Sequence, residues 1–336
     1  MKKILVTIIG LSLWIGVLAG CAAADGNAAG TEDGSVTSAG SFSVVTTIFP
    51  EYDWVRQILG DNPANAELTM LLDSGVDLHS YQPTASDMLK ISTCDLFVYV
   101  GGESDSWVDD ALSEATNPDM IVVNLLDSLG DRVKEEEVVE GMEAEAEEES
   151  DGEEEEAEYD EHVWLSLKNA SYLCEVIGNA LAKVDETHAD VYKENLASYE
   201  EKLHKLDEAY ETTVSDAGYQ TILFGDRFPF RYLTDDYGLD YYAAFVGCSA
   251  ETEASFETIT FLAQKVDELS LPAILTIEGS DKKIAETIAQ NTIKQDQKIL
   301  TMDSMQSTTS ADVGDGATYL KIMEENQKIL TEALNE

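Results

Sequence analysis

The chain of 336 residues carries 67 acidic against 20 basic side chains, a formal net charge of −47, and 44% hydrophobic residues. So negative a surface repels nucleic acid and anionic lipid and excludes a nucleic-acid-binding role; it suits a cation as ligand, or serves solubility alone. Beyond residue 41 about 295 residues remain, enough for one large domain or two of ordinary size.

Lys2 and Lys3 precede an almost wholly apolar run, Ile4 to Ala19, the pattern of a secretory leader. The run is short for a membrane span, which needs ~20 residues. Leu18-Ala19-Gly20-Cys21 follows and resembles a bacterial lipoprotein signal. It implies cleavage before Cys21, lipidation of Cys21 and a lipid-anchored position at the extracytoplasmic face of the cell membrane. An ordinary signal peptide or a single anchor helix is the alternative. Residues 22–41 are Ala, Gly, Ser, Thr and acids, a flexible tether. The expected division is therefore a leader over 1–20 and a tether over 21–41.

Val44 to Phe49 is a β-branched run closed by Pro50, a strand, and Glu51 to Leu59 has helical spacing. Leu68 to Leu72 reads as a strand, and Thr84 with Asp87 makes a capping-box start for a helix over 85–91. A strand at Asp95 to Val100 runs into Gly101-Gly102, and a helix at 108–112 precedes a strand at 121–125. This alternation predicts a βαβ lobe with a parallel sheet over 42–168. Inside it, Glu135 to Glu161 holds seventeen acidic residues and no basic one. Like charges repel and little apolar surface offsets the entropy of ordering, so a disordered acidic loop is expected over 134–160.

From 169 to 214 the stripe Leu173, Ile177, Leu181, Val184, Leu196, Tyr199, Leu203 and Leu206 predicts one long helix linking two halves, bent near Asp185 to Asp190. A second alternating block fills 215–336. Strands at 221–224, 241–246, 273–277 and 299–302 interleave with helices at 258–269, 282–289 and 318–334. The fold class is α/β, two βαβ lobes with mostly parallel sheets joined by a helix. Ligands of such sheets sit beyond the carboxyl ends of the strands, here in the cleft between lobes.

Cys94 and Cys174 lie in apolar surroundings and read as small core residues, while Cys248 falls in a loop and its role stays open. Three cysteines at scattered spacing form neither a disulfide framework nor a CxxC zinc site. Of four histidines, His188 and His204 sit among Glu, Asp and Lys on the long helix and read as solvated positions. His79, after a strand, and His162, at the far lip of the acidic run, stand at junctions where sites are usually built.

The segment Gly75 to Met88, with His79 at its centre, resembles the first ligand motif of the solute-binding subunits of zinc and manganese ABC importers, the ZnuA/TroA-like family. Asp160-Glu161-His162-Val163-Trp164-Leu165 resembles the second. Asp95 to Gly102 with Trp107, Tyr237-Gly238-Leu239, Ser249 to Ser255, and the strands ending at Glu278 and Asp303 match in order, so the resemblance runs from about residue 42 to 334. It implies two α/β lobes with little hinge motion and a metal site between them. His79 and His162 would be ligands from the first lobe and Asp303 a carboxylate ligand from the second.

The family usually places a His or Glu where this chain has Gly225; Asp226 is the substitute, or else a partner of Arg227, and Glu278 stands as a residue behind the ligands. Two imidazoles with carboxylates suit Zn2+, with Mn2+ as the alternative. The resemblance further implies a monomer that delivers its ion to an ABC permease served by an ATPase. A surface adhesin on the same scaffold is the competing role. No GxSxG, HExxH or Walker sequence points to an enzyme. The family's zinc importers often carry a His-rich loop where this chain has its acidic run; without His, that run would attract divalent cations without selecting among them, or be a mere solvated insertion.

Overall fold

The computed structural model describes residues 41–143, 158–249 and 253–335. Cys21, the leader, most of the tether and the middle of the acidic run lie outside the described residues. Residues 39–336 make one compact unit.

The first lobe is built on β1 (Ser43–Thr46), β2 (Glu67–Met70), β3 (Leu96–Tyr99) and β4 (Ile121–Asn124), all parallel, in the order β2-β1-β3-β4. β1 and β3 are short apolar runs buried along most of their length, as strands covered on both faces must be. The helices are α1 (Phe49–Leu59), α2 (Ala85–Thr93), α3 (Val108–Ser113) and α4 (Leu125–Leu129). The expected cap of α2 forms: Asp87 N donates to Thr84 Oγ1 at 3.3 Å and Thr84 N donates to Asp87 Oδ2 at 3.0 Å.

The linking stretch expected over 169–214 is helical and includes one long helix between the lobes, but it divides into two helices at the bend expected near Asp185 to Asp190. α5 (Leu167–Val184) and α6 (Ala189–Ser215) lie side by side, with Leu196 packed over Gly178, where an added Cβ would come within 2.9 Å of Leu196 Cδ2. The reversal is made by Asp185, whose carboxylate accepts from Thr187 N at 3.2 Å and from Tyr192 Oη at 2.8 Å and lies 2.6 Å from His188 Nδ1. His188 is thus a partner in a turn, while His204 is exposed beside Glu208.

The second lobe repeats the first. β5 (Thr221–Phe228), β6 (Asp240–Val246), β7 (Ala273–Ile277) and β8 (Lys298–Met302) are parallel in the order β6-β5-β7-β8. They interleave with α7 (Arg231–Tyr237), α8 (Phe256–Leu269), α9 (Lys283–Asn291), α10 (Ser310–Gly314) and α11 (Tyr319–Asn335). In each sheet the order reverses at the first strand, which opens a crevice at the carboxyl ends of its neighbours.

One apolar core runs through both lobes, from Val44 and Phe97 to Phe224 and Leu334. α1 meets α11 directly. Trp54 stacks edge-on to Tyr319 with ring centroids 5.3 Å apart, and Tyr319 N donates to Asp53 Oδ2 at 2.9 Å. Arg56 holds the other Asp53 oxygen at 2.6 Å and reaches the Ala317 carbonyl.

The shoulders of the acidic run are bound, in contrast to the loop expected over 134–160. Glu136 N donates to the Glu158 carbonyl at 2.9 Å, Asp160 N to the Lys134 carbonyl at 2.9 Å, and Glu143 N to the Ala244 carbonyl of β6 at 2.9 Å. Residues 144–157 lie outside the described residues.

Glu51 is fully buried at the start of α1, where its Oε2 accepts from Thr47 N, Thr47 Oγ1 and Ile48 N at 2.8, 3.0 and 3.3 Å. Burial, then the nearby Asp105, pushes its carboxyl well above the usual carboxylate range, against the pull of those hydrogen bonds. Asp105 is itself raised to about 7, by burial first. A raised acid holds its proton longer in the folded than in the unfolded chain. Stability therefore falls as pH rises from the unfolded value of about 4.5 toward the raised folded one. Glu51→Gln, which keeps an oxygen for the same donors and carries no charge, should gain about 1–3 kcal/mol relative to the parent between pH 5 and pH 8. Thermal melts of both proteins in chelator at the two pH values check this; parallel shifts would refute it.

Candidate metal centre

His79 follows β2 on a 3-10 turn, Leu78–Ser80. Asp77 caps that turn by accepting from His79 N at 3.1 Å, and its other oxygen pairs with Arg227 of β5 across the cleft. The ring's Nδ1 lies 2.7 Å from Ser104 Oγ and 3.5 Å from Glu161 Oε2. Nε2 is thereby turned into the cleft.

His162 enters on a second 3-10 turn, Val163–Leu165. Asp160 Oδ1 accepts from the His162 backbone N–H at 2.8 Å and lies 3.0 Å from its Nδ1. Asp160 is fixed in turn, because Tyr232 Oη of α7 donates to its carbonyl at 2.8 Å. Between the histidines, Glu161 Oε1 accepts from Ser104 N at 2.9 Å, while its buried Oε2 accepts no hydrogen bond. The backbone of Gly102 approaches so closely that a Cβ there would sit 2.3 Å from Glu161 Oε1, and its φ of +81° also favours glycine. That is the purpose of Gly101-Gly102 after β3.

The two Nε2 atoms lie 3.2 Å apart. A hydrogen-bond network in which both Nδ1 atoms donate outward leaves both Nε2 lone pairs facing each other. Lone pairs at that distance repel unless a proton or a metal ion lies between them. A tetrahedral zinc ion with Zn–N of about 2.0–2.1 Å sets its nitrogens about 3.3–3.4 Å apart. The pair is thus preset to the spacing a shared ion requires.

The surroundings favour a neutral imidazole at His79. Burial, then the charge of His162, lowers its proton affinity to about 3, against the opposing pull of Asp77. At His162 burial also disfavours the cation, but the charge and hydrogen bond of Asp160, then Glu161, outweigh it and leave the value raised.

The lobe-two residues expected from sequence fall in different places. Asp226 spends its oxygens on backbone, accepting from Arg227 N at 3.0 Å and Ile277 N at 3.4 Å. Arg227 pairs with Asp77 rather than with the Asp226 side chain. Gly225 sits at a bulge in β5, and a Cβ built there would meet Ala285 Cα of α9 at 2.5 Å, so a side chain at 225 would run into α9 and not into the cleft. Glu278 splints the turn after β8, accepting from Ser304 N and Ser304 Oγ at 2.7 Å each and from Gln306 N at 3.3 Å. Asp303 Oδ1 accepts from Met305 N at 2.8 Å; burial, then Glu278, raises its carboxyl to about 7.

Among the described residues, the donor atoms that lie within 4.8 Å of one another belong to His79, His162 and Cys248. Asp303, Asp226 and Glu278 are outside that set. Cys248 follows β6, and its neighbour Gly247 is pressed against His162, where a Cβ would come 2.9 Å from the ring's Cε1. A glycine and a cysteine directly after a strand were the sequence signal for this loop, but nothing local in the sequence points it at a histidine. Ser104 and Tyr232, which orient the two rings or flank them, were likewise not singled out, and Glu161 and Arg227 were named without these contacts.

The sequence pattern of the family described as "Zinc-uptake complex component A periplasmic" matches residues 44–333. The "Zinc-binding lipoprotein AdcA" of Streptococcus pneumoniae is 31% identical over 298 residues, 88% of this chain, which spans 56% of that protein's length. The "High-affinity zinc uptake system protein ZnuA" of Bacillus subtilis is 31% identical over 328 residues, 96% of this chain and 98% of that protein. Among solved structures, the Zn(II)-bound ZnuA-like domain of Streptococcus pneumoniae AdcA aligns with a TM-score of 0.68 at 27% identity, covering 88% of this chain and all of that domain. The family match covers both lobes and both histidine loops, and on it this chain belongs to the zinc-uptake component A (ZnuA) family of metal-binding transport proteins, which are not enzymes.

Proposed function

We propose that the protein captures a zinc ion outside the cytoplasmic membrane, held there by a lipid on Cys21, and hands it to an ABC permease driven by an ATPase. The observation that carries this reading is the pair of inward-facing Nε2 atoms 3.2 Å apart, each ring held from behind. His79 and His162 are the ligands from lobe one. Of the three lobe-two carboxylates, Asp303 alone has an oxygen, Oδ2, that accepts no hydrogen bond among the described residues, and we assign it the carboxylate role. Its oxygen stands outside the 4.8 Å set and turns toward the ion on binding. Relatives named zinc-binding support zinc over manganese. A protein that does no chemistry but passes on its cargo gains from a tether, because tethering raises its effective concentration at the permease.

Titration calorimetry of demetallated protein with zinc tests this. One ion should bind per chain, and His79→Ala or His162→Ala should abolish tight binding. Asp160→Ala leaves both ligands in place but frees the His162 ring, and should weaken zinc by about 10–100-fold. Asp303→Ala should weaken it less than either histidine variant. Undiminished binding by His79→Ala would remove the site.

Residues 144–157 contain nine acidic side chains, and their removal leaves both bound shoulders of the insertion in place. Their attraction for a divalent ion is long-ranged and screened by salt, with a Debye length of about 30 Å at 0.01 M and about 8 Å at 0.15 M ionic strength. Deleting 144–157 should slow zinc association in stopped-flow at the lower salt and leave it unchanged at the higher. An equal rate at low salt would mean that the insertion does not gather ions.

A further inference from the structure

We propose that Cys248 is the lobe-two ligand nearest the histidine pair, binding the captured ion through its sulfur, and that this sulfur makes the site choose zinc over manganese. The inference rests on the capture reading and adds a donor that the sequence reading left without a role.

Three independent features converge on it. The first is distance: Sγ of Cys248 and the ligand nitrogens of His79 and His162 lie within 4.8 Å of one another. A tetrahedral zinc with Zn–N of about 2.0–2.1 Å and Zn–S of about 2.3 Å needs N···S of about 3.6 Å, so the sulfur has about 1 Å at most to travel. The second is the backbone. A Cβ at Gly247 would come within 2.9 Å of both the His162 ring and the Phe228 carbonyl, so a larger residue would lift the loop and carry Cys248 away from the imidazole. The third is the fate of the other donors. Position 225 faces α9, Asp226 holds backbone, and Arg227 is paired with Asp77.

The surroundings of Cys248 agree with metal binding and with no other use of a thiol. Cys94 and Cys174 are free and buried in the core, so Cys248 is not one half of a disulfide among the described residues. The Cys248 backbone N–H donates to Glu136 Oε1 at 3.4 Å, which holds its loop beside the histidines. Binding forms a zinc–sulfur bond, and the thiol proton leaves to solvent, one proton per ion. Thiolate is a soft donor that suits zinc and cobalt and suits manganese poorly.

The test uses the unit from Ala39 to Glu336, which lacks Cys21. Cobalt(II), as a probe for zinc, should give a near-ultraviolet thiolate-to-cobalt charge-transfer band that saturates at one ion per chain. Cys248→Ser should lose that band, weaken zinc at least tenfold and narrow the preference for zinc over manganese; Cys94→Ala should keep all three properties. Should a Cys248 variant misfold, zinc should instead protect Cys248 of the parent from alkylation by iodoacetamide, read on its peptide by mass spectrometry, and manganese should not. A charge-transfer band that persists in Cys248→Ser, parental zinc affinity in that variant, or alkylation unaffected by zinc would overturn the sulfur ligand. If zinc binding is still lost in His79→Ala, the capture reading survives that result. A parent chain that binds no zinc would overturn both.

Discussion

The indole N–H of Trp164 donates to the Ser304 carbonyl at 2.8 Å, and the hydroxyl of Tyr319 donates to the Trp164 carbonyl at 2.6 Å. Trp164 is wholly buried, so each bond is made away from water and neither is surrendered cheaply. Through them the loop that carries His162 is fastened to the second lobe at two points, only two residues from the ligand. Ser304 is itself fixed by Glu278, and Tyr319 begins the helix that rests on Trp54 and Asp53 of the first lobe. The ring of His162 therefore has a position defined by both halves of the molecule. A side chain held in this way would lose little freedom on binding an ion, and the two imidazoles stand with their Nε2 atoms 3.2 Å apart.

Strain in that arrangement is electrostatic. The pair is buried, and a positive guanidinium, Arg227, lies close enough to lower the proton affinity of both rings. Asp160 pulls the other way at His162 and prevails there, whereas nothing of equal strength supports a proton on His79. One ring thus favours a cation and the other a lone pair, and they face each other. A proton on His162 Nε2 bridges to the lone pair of His79 Nε2 across the 3.2 Å gap, and a divalent ion taken up there would replace that proton and bind both nitrogens.

The fold was largely legible because its signals are local. Most of the eight strands are short, largely apolar runs, and helices such as α2 carry their own caps. The place of the break between α5 and α6 was legible as a bend but its full reversal was not, because Asp185-Glu186-Thr187-His188 has neither Gly nor Pro and reverses the chain through side-chain bonds instead. α4, α7 and α10, of five, seven and five residues, are too short to show a period. In the site, His79 and His162 stood out because histidine is scarce and both flank strands or turns. Cys248 did not, since its nearness to His162 is a product of two lobes closing on each other. Asp303 was visible as the residue after a strand, but its sequence position does not reveal that Asn326 and Met305 already hold its backbone and one oxygen.

The bound shoulders of the acidic insertion bear on how a chain so rich in carboxylate could favour nitrogen and sulfur. Glu137 is engaged by Arg231 and by Tyr241 Oη, Glu143 by Ser255 N at 2.7 Å, and Glu136 by the backbone N–H of Cys248 at 3.4 Å. Asp160 is committed to His162 and Glu161 to Ser104. Each of these carboxylates has a donor on one oxygen, so an ion that took that oxygen would break a hydrogen bond that also positions a loop. The two Nε2 atoms face each other at 3.2 Å, and Cys248 Sγ lies within 4.8 Å of a nitrogen of each ring. In the proposed capture role, oxygen abundance along the chain would set the long-range attraction, while the engagement of one oxygen in each nearby carboxylate would leave more of the choice of ion to the softer donors.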